Sequence, residues 1–297
     1  MKKLLSVILC VALLCSALTF AAPAQEEQLP LFVVLGDSIA AGFGVAHDAS
    51  AGHLFAQRQG YAMVNVGFPG NDSRFLRHEV TNVNGIKDLI ERADTILISI
   101  GGNDFLLAGS FGDLVGMVFD AALGDLRAAD PILEAFAENF AAIITQVRAL
   151  NPTATVMVQT MFNPSPPLPS LYRAAGAAMG GLNDKIRAVH AQDPDAFVIA
   201  CVYTAFAGLS GVAQMDLIHP NARGHRVIAQ VLEDAYLGTQ TEIVPPNPAG
   251  DMLLRVLRPV LWLADVLFIR IGLRLTWPAF RGIAVNAVDV LVEWLFF

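Results

Sequence analysis

Five residues at the ends of short apolar runs have side chains or backbone groups suited to acyl transfer. Ser38 follows Leu31-Phe32-Val33-Val34-Leu35-Gly36-Asp37, and Asn103 follows Thr95-Ile96-Leu97-Ile98-Ser99-Ile100-Gly101-Gly102. Gly70 closes Ala62-Met63-Val64-Asn65-Val66-Gly67-Phe68-Pro69-Gly70, and Asp216 and His219 share Asp216-Leu217-Ile218-His219-Pro220. A serine hydroxyl becomes a useful nucleophile when a neighbouring base takes its proton. His219 is the candidate base, returning the proton to the leaving group, and Asp216 would hold the imidazole tautomer and stabilise the imidazolium. The three-residue step between them suits one tight turn with both side chains facing inward. The Ser38 N–H, the Gly70 N–H and the Asn103 amide would form an oxyanion hole, where each donor lowers the barrier by about 3 kcal/mol. Taken alone, Ser38 could equally be a helix N-cap; the accompanying donors and base separate the two readings.

The apolar runs are rich in β-branched residues and short enough to be buried strands. Five are expected: Leu31 to Gly36, Ala62 to Phe68, Thr95 to Ile100, Thr153 to Met161 and Ala196 to Tyr203. Helical stretches lie between them: Ala40 to Gln59 with a glycine-interrupted start, a region ending at Ala93, and a long region up to Leu150 broken at Asp130-Pro131. Two further helices run from about Leu171 to Ala191 and from about Ala222 to Tyr236. Continuous apolar strands alternating with helices predict a parallel sheet covered on both faces. In such a sheet ligands bind at the carboxyl ends of the strands, so residues far apart in sequence meet on one edge. Ser38 would sit where a strand ends and a helix starts, and free N–H groups there favour negative charge.

These blocks resemble those of the SGNH hydrolases, the GDSL esterase/lipase family. Gly36-Asp37-Ser38 matches the first block, Asn65-Val66-Gly67-Phe68-Pro69-Gly70 the second, Gly101-Gly102-Asn103-Asp104 the third and Asp216-Leu217-Ile218-His219-Pro220-Asn221 the last, in order over about residues 31 to 237. The resemblance implies an α/β, flavodoxin-like three-layer sandwich with a five-stranded parallel sheet and a serine esterase mechanism using no metal or other cofactor. It also implies that Ser38, Gly70, Asn103 and His219 are the family's four named residues. The nearest group is that of extracytoplasmic thioesterase/lysophospholipase-like enzymes. The second block ends Gly70-Asn71-Asp72-Ser73 rather than Gly-x-Thr, which leaves Gly67 as the alternative to Gly70. No Gly-x-Ser-x-Gly surrounds Ser38, so the α/β-hydrolase elbow is not present.

The ends of the chain differ from its middle. Lys2 and Lys3, an apolar stretch from Leu4 to Phe20 and Ala22-Pro23-Ala24 read as a secretory signal over 1–24, with an uncleaved anchor as the alternative. Cys201 would be the one cysteine of the mature chain and is expected in the core. His47, His53, His78, His190 and His225 lack metal-ligand spacing. A net charge of -8 with no basic patch argues against a nucleic-acid partner. The hydrolase domain is expected over 25–243, followed by a proline-rich linker at 244–250. A C-terminal amphipathic helical extension, 251–297, follows. On a helical wheel Arg255, Arg258, Asp265, Arg270 and Arg274 fall on one half and Leu257, Val260, Leu261 and Leu275 on the other. The extension either lies in a membrane interface, with Trp262, Trp277 and Trp294 as anchors, or packs on protein. The expected substrate is an acyl ester, of lipid, lysophospholipid or cell-envelope polysaccharide. The competing class is a silent membrane-associated binding protein that kept the fold.

Overall fold

The computed structural model describes residues 29–163, 169–207, 209, 211–239, 259–267, 276–277, 281–282, 285 and 289. The expected signal (1–24) and linker (244–250), and most of 251–297, lie outside these residues.

The chain runs β1 (Leu31–Gly36), α1 (Ser38–Ala41), α2 (Ala51–Gln59), β2 (Ala62–Asn65), α3 (Ser73–Asn82), α4 (Asn84–Arg92) and β3 (Thr95–Ser99). It continues through α5 (Gly102–Leu106), α6 (Phe111–Ala122), α7 (Asp130–Leu150), β4 (Thr155–Gln159) and α8 (Pro169–Gln192). It then passes through β5 (Val198–Ala200), α9 (Val202–Phe206) and α10 (Ala222–Leu237). Two short 3₁₀ turns, His47–Ala49 and Arg127–Ala129, precede α2 and α7.

All strands pair in parallel in the order β2-β1-β3-β4-β5, with Val34 opposite both Asn65 and Leu97. This is the flavodoxin-like order, and its connections reverse direction between β1 and β3. Successive side chains on a strand point to opposite faces. Val33, Leu35, Ile96, Ile98, Val156 and Val158 therefore pack under α3, α4, α7 and α8, against Leu76, Phe136, Phe140 and Ile186. Phe32, Val34, Leu97 and Met157 face the other way, onto Phe55 of α2 and Ile228 and Leu232 of α10. Burial on both faces explains why the strands are continuous apolar runs rather than alternating ones.

The elements follow the expected order, with local differences. The stretch Ala40 to Gln59 is split at Gly42 and Gly44, both in the left-handed region, into α1, a 3₁₀ turn and α2. β2 stops at Asn65 because its side chain takes over as turn-former: Nδ2 donates to the Ala40 carbonyl and Oδ1 accepts from Gly67 N–H. The break at Asp130-Pro131 is the start of α7, where a proline is tolerated because the first N–H groups of a helix have no partner within it. Cys201 corrects an expectation. It lies past the end of β5, at the N-cap of α9, and its side chain is exposed rather than in the core.

Candidate active site

The turn after β1 is built around Gly36. Its φ is 141°, and a β-carbon there would stand 1.9 Å from the Ser99 carbonyl oxygen, so only glycine fits between β1 and β3. Asp37 N–H donates to that same carbonyl, and the Asp37 carboxylate caps α1 by accepting from Ile39 N–H at 2.9 Å. Ser38 is thereby the first residue of α1, at the carboxyl edge of the sheet beside the β1/β3 reversal. Burial pushes the Asp37 carboxyl up to about 7, against the pull of the Ile39 and Ala40 N–H groups and of His219.

The loop before α10 brings the other two polar groups to Ser38. His219 Nε2 is 2.8 Å from Ser38 Oγ, and His219 Nδ1 is 2.7 Å from Asp216 Oδ2. The other Asp216 oxygen accepts from Ile218 N–H and His219 N–H, which closes the turn. Leu217 has φ 63°, a conformation uncommon for a branched side chain, and this turn imposes it. Partial burial pushes the Asp216 carboxyl up, but the hydrogen bonds from the His219 ring and from the two N–H groups outweigh it and leave the group below the usual carboxylate value.

The loop is held from both sides. Asn221 caps α10 through Arg223 and Gly224 N–H, and its Nδ2 donates to the Gly211 and Ala213 carbonyls. Gln214 Nε2 donates to the Phe43 and Pro220 carbonyls, tying the histidine loop to the serine loop. The Phe43 ring lies 4.8 Å from the His219 ring, centroid to centroid.

The remaining two blocks are cross-linked by side-chain amides. Asn103, on the first turn of α5, uses one Nδ2 hydrogen on the Asn71 carbonyl at 2.8 Å, which leaves the second available. Asn71 is buried and donates to the Gly36 carbonyl and to Glu79. Ser73 donates its N–H and hydroxyl to Asp104, joining α3 to α5. Gly67 is wedged against α1, where a β-carbon would come within 2.9 Å of Ala40 and Ala41 atoms. Gly70 has φ 92° and open space where a β-carbon would stand.

The structure thus brings Ser38, His219 and Asp216 into one hydrogen-bonded series, with Gly70 in the turn after β2 and Asn103 at the start of α5. Asn71, Gln214 and Phe43 carry no motif of their own in the sequence; Asn71 reaches the Gly36 carbonyl, Gln214 the Phe43 carbonyl, and the Phe43 ring the His219 ring. His225 is apart from this series, fully buried between α2 and α10, with Nδ1 accepting from Ala51 N–H. Among the described residues no cluster of three His, Cys, Asp or Glu side chains could hold a metal ion.

An apolar cavity of about 360 Å³ opens beside Ser38. Ile39, Gly102, Phe105, Met117, Ala178 and Ile218 are among the residues that line it.

Comparison with protein families matches residues 34–227 to the GDSL-like lipase/acylhydrolase family. No curated protein matches the chain. Solved structures do. A lipase from a goat rumen metagenome aligns with TM-score 0.59 at 17% identity, covering 69% of this chain and 97% of its own. Phospholipase A1 from Streptomyces albidoflavus NA297 aligns with TM-score 0.53 at 21% identity, covering 70% and 100%. An extracellular lipase from Streptomyces rimosus aligns with TM-score 0.53 at 19% identity, covering 69% and 99%. At these identities the likeness is one of fold.

Proposed function

Because this chain belongs to the GDSL-like lipase/acylhydrolase family, and with it to the carboxylic ester hydrolases, we propose that it is an exported serine esterase that cleaves acyl esters of lipids or lysophospholipids. The observation that carries the mechanism is the unbroken series from Ser38 Oγ through His219 to Asp216. His219 Nε2 accepts the Ser38 proton as Oγ attacks the ester carbonyl. Asp216 accepts from Nδ1 and stabilises the imidazolium. The oxyanion is met by the Ser38 and Gly70 N–H groups and by the Asn103 hydrogen not used on Asn71. The crowding of Gly67 against α1, beside the open space at Gly70, favours Gly70 for this role. The imidazolium then protonates the leaving alcohol, and water repeats the sequence on the acyl-serine.

Three observations favour a lipid over an acetylated polysaccharide. The cavity beside Ser38 is apolar and far larger than an acetyl group needs. Room for roughly a dozen waters at about 30 Å³ each is room for a medium-length acyl chain. Around the site Phe43, Phe68, Leu107 and Met215 stand exposed, the last fully so; an apolar rim of this kind suits a substrate presented in a membrane. The helical segment 259–267 also exposes Val260, Leu263 and Leu267, spaced along one face, together with Trp262. No helix among the described residues is long and apolar enough to cross a membrane; the contact proposed for 251–297 is that of amphipathic helices in the bilayer interface.

Hydrolysis of p-nitrophenyl esters of graded chain length tests this reading. Activity should rise from acetate toward medium chains and disappear in Ser38→Ala. Activity confined to acetate would point to the polysaccharide O-acetyl esterase, and none on any ester to a binding protein.

A further inference from the structure

Two carboxylates of the C-terminal extension, Asp265 and Asp289, reach the rest of the protein. Asp265 is fully buried, and its carboxylate accepts the Ser170 N–H and hydroxyl on the first turn of α8, at 2.8 and 2.9 Å. Asp289 does the same for α6, accepting Gly112 N–H at 2.7 Å and the Ser110 hydroxyl at 2.8 Å. A carboxylate at a helix start satisfies N–H groups that have no partner within the helix and lies at the favourable end of its dipole. The other end of α6 is held as well. Asp120 accepts from Trp277 Nε1 and Arg281 Nε, both at 2.7 Å, and the Trp277 ring packs on Phe119 at 5.0 Å.

α6 and α8 are also walls of the apolar cavity beside Ser38. Met117 and Ala121 of α6 and Ala174 and Ala178 of α8 line it. The buried positions of α6 with assigned burial are Gly112 and Gly116, and the extension covers both. A β-carbon at Gly112 would stand 2.4 Å from the Val285 carbonyl oxygen, and one at Gly116 would stand 3.1 Å from the Val285 side chain. α6 therefore has one face on the cavity and the opposite face under the extension. Its half-buried Met117 reaches the margin of the main core.

We propose that the C-terminal segment is a clasp that holds α6 over the cavity and so fixes the depth of a medium-chain acyl site. Arg281 and Asp289 are positioning residues that touch no substrate. This inference rests on the esterase reading above and deepens it, assigning the cavity to the acyl chain of the ester. With the clasp closed, α6 presents Leu114 and Met117 to a chain of about ten carbons. With it open, that wall loses its support and the apolar contact with the distal methylenes, while an acetyl group at Ser38 is unaffected.

The test compares p-nitrophenyl decanoate with the acetate, both below the concentration at which the ester aggregates, in the full-length chain. In the double variant Arg281→Ala/Asp289→Ala, kcat/KM for decanoate should fall at least tenfold, through KM. Acetate kcat/KM should stay within twofold. All three tryptophans lie at or beyond position 262, so a red shift in their emission reports release of the clasp. Asp289→Asn, which keeps an acceptor for Gly112 N–H, should recover most of the decanoate activity. Met117→Trp, which fills the cavity without touching the clasp, should lower the decanoate-to-acetate ratio at least tenfold. An unchanged ratio in either the double variant or Met117→Trp overturns the proposal, as does tryptophan emission that does not move or an equal loss on both esters. Failure of the esterase reading looks different, since the wild type would then hydrolyse neither ester.

Discussion

Acid should loosen this fold through His225. Its ring is fully buried, and its Nδ1 accepts the Ala51 N–H at 3.2 Å, joining α10 to the first turn of α2. That bond requires a neutral ring with its proton on Nε2; a second proton on Nδ1 would face the Ala51 N–H directly. Burial, followed by the charge of His219, holds His225 down to about 4 from the usual 6.5. Above pH 6.5 the ring is neutral in both folded and unfolded chains and its stabilising contribution is complete. As pH falls toward 4 the unfolded chain takes up a proton that the folded chain refuses, and that contribution is lost. At about 1.4 kcal/mol per pH unit the loss comes to about 3 kcal/mol by pH 4. His225→Asn keeps an acceptor near Ala51 but does not titrate. Its packing defect is independent of pH, so the difference in unfolding free energy between wild type and variant isolates the titration. Urea unfolding followed by far-ultraviolet circular dichroism should show the wild-type advantage shrinking by about 3 kcal/mol between pH 7.5 and pH 4. A difference that stays constant across that range would refute the buried neutral histidine. Circular dichroism is the appropriate probe, since every tryptophan lies in the C-terminal extension.

Asp37 should act in the opposite direction. Its carboxyl is raised from 3.8 to about 7, so the folded chain holds a proton that the unfolded chain has lost and stability falls as pH rises through that window. Asp37→Asn keeps the cap on Ile39 N–H and should raise the unfolding free energy above pH 7 by up to about 4 kcal/mol, read as a higher urea midpoint. An unchanged midpoint would mean the carboxylate is solvated. Within the site, His219→Ala should lose nearly all esterase activity. Asp216→Asn should retain a trace, down by about 10⁴ in kcat, because shape survives without charge; equal residual rates would leave Asp216 without its assigned task. Asn103→Ala should cost about 10²–10³ in kcat with little change in KM, and a pure KM effect would remove Asn103 from the oxyanion hole.

The parts of this protein that were legible in the sequence are those with local causes. β1 and β3 announce themselves because strands buried on both faces must be continuously apolar. The Asp216-to-His219 step is readable because one turn closes it. Ser38 and Asn103 could be placed because strand ends share an edge in a parallel sheet. What escaped depends on partners far along the chain. His225 pairs with an N–H 174 residues away. Asn71 reaches the Gly36 carbonyl 35 residues away, and Gln214 the Phe43 carbonyl 171 residues away. Cys201 lies in a run that looks like strand, but β5 ends at Ala200 and the chain turns outward there. The helical wheel grouped Asp265 with four arginines on one half of an amphipathic helix. It is buried as a cap for α8, which periodicity within one segment cannot reveal. Membrane contact and packing on protein are the two readings of 251–297; the Asp265 contact belongs to the second, while the exposed Val260, Trp262, Leu263 and Leu267 leave a surface for a bilayer.

The central claim is that Ser38, activated by His219, is the nucleophile. A fluorophosphonate probe followed by peptide mass spectrometry tests it most directly. The wild type should carry one adduct, on the peptide containing Ser38. Ser38→Ala should carry none while keeping its circular dichroism spectrum, and His219→Ala should label far more slowly. An adduct on another residue, or equal labelling of wild type and Ser38→Ala, would contradict the account.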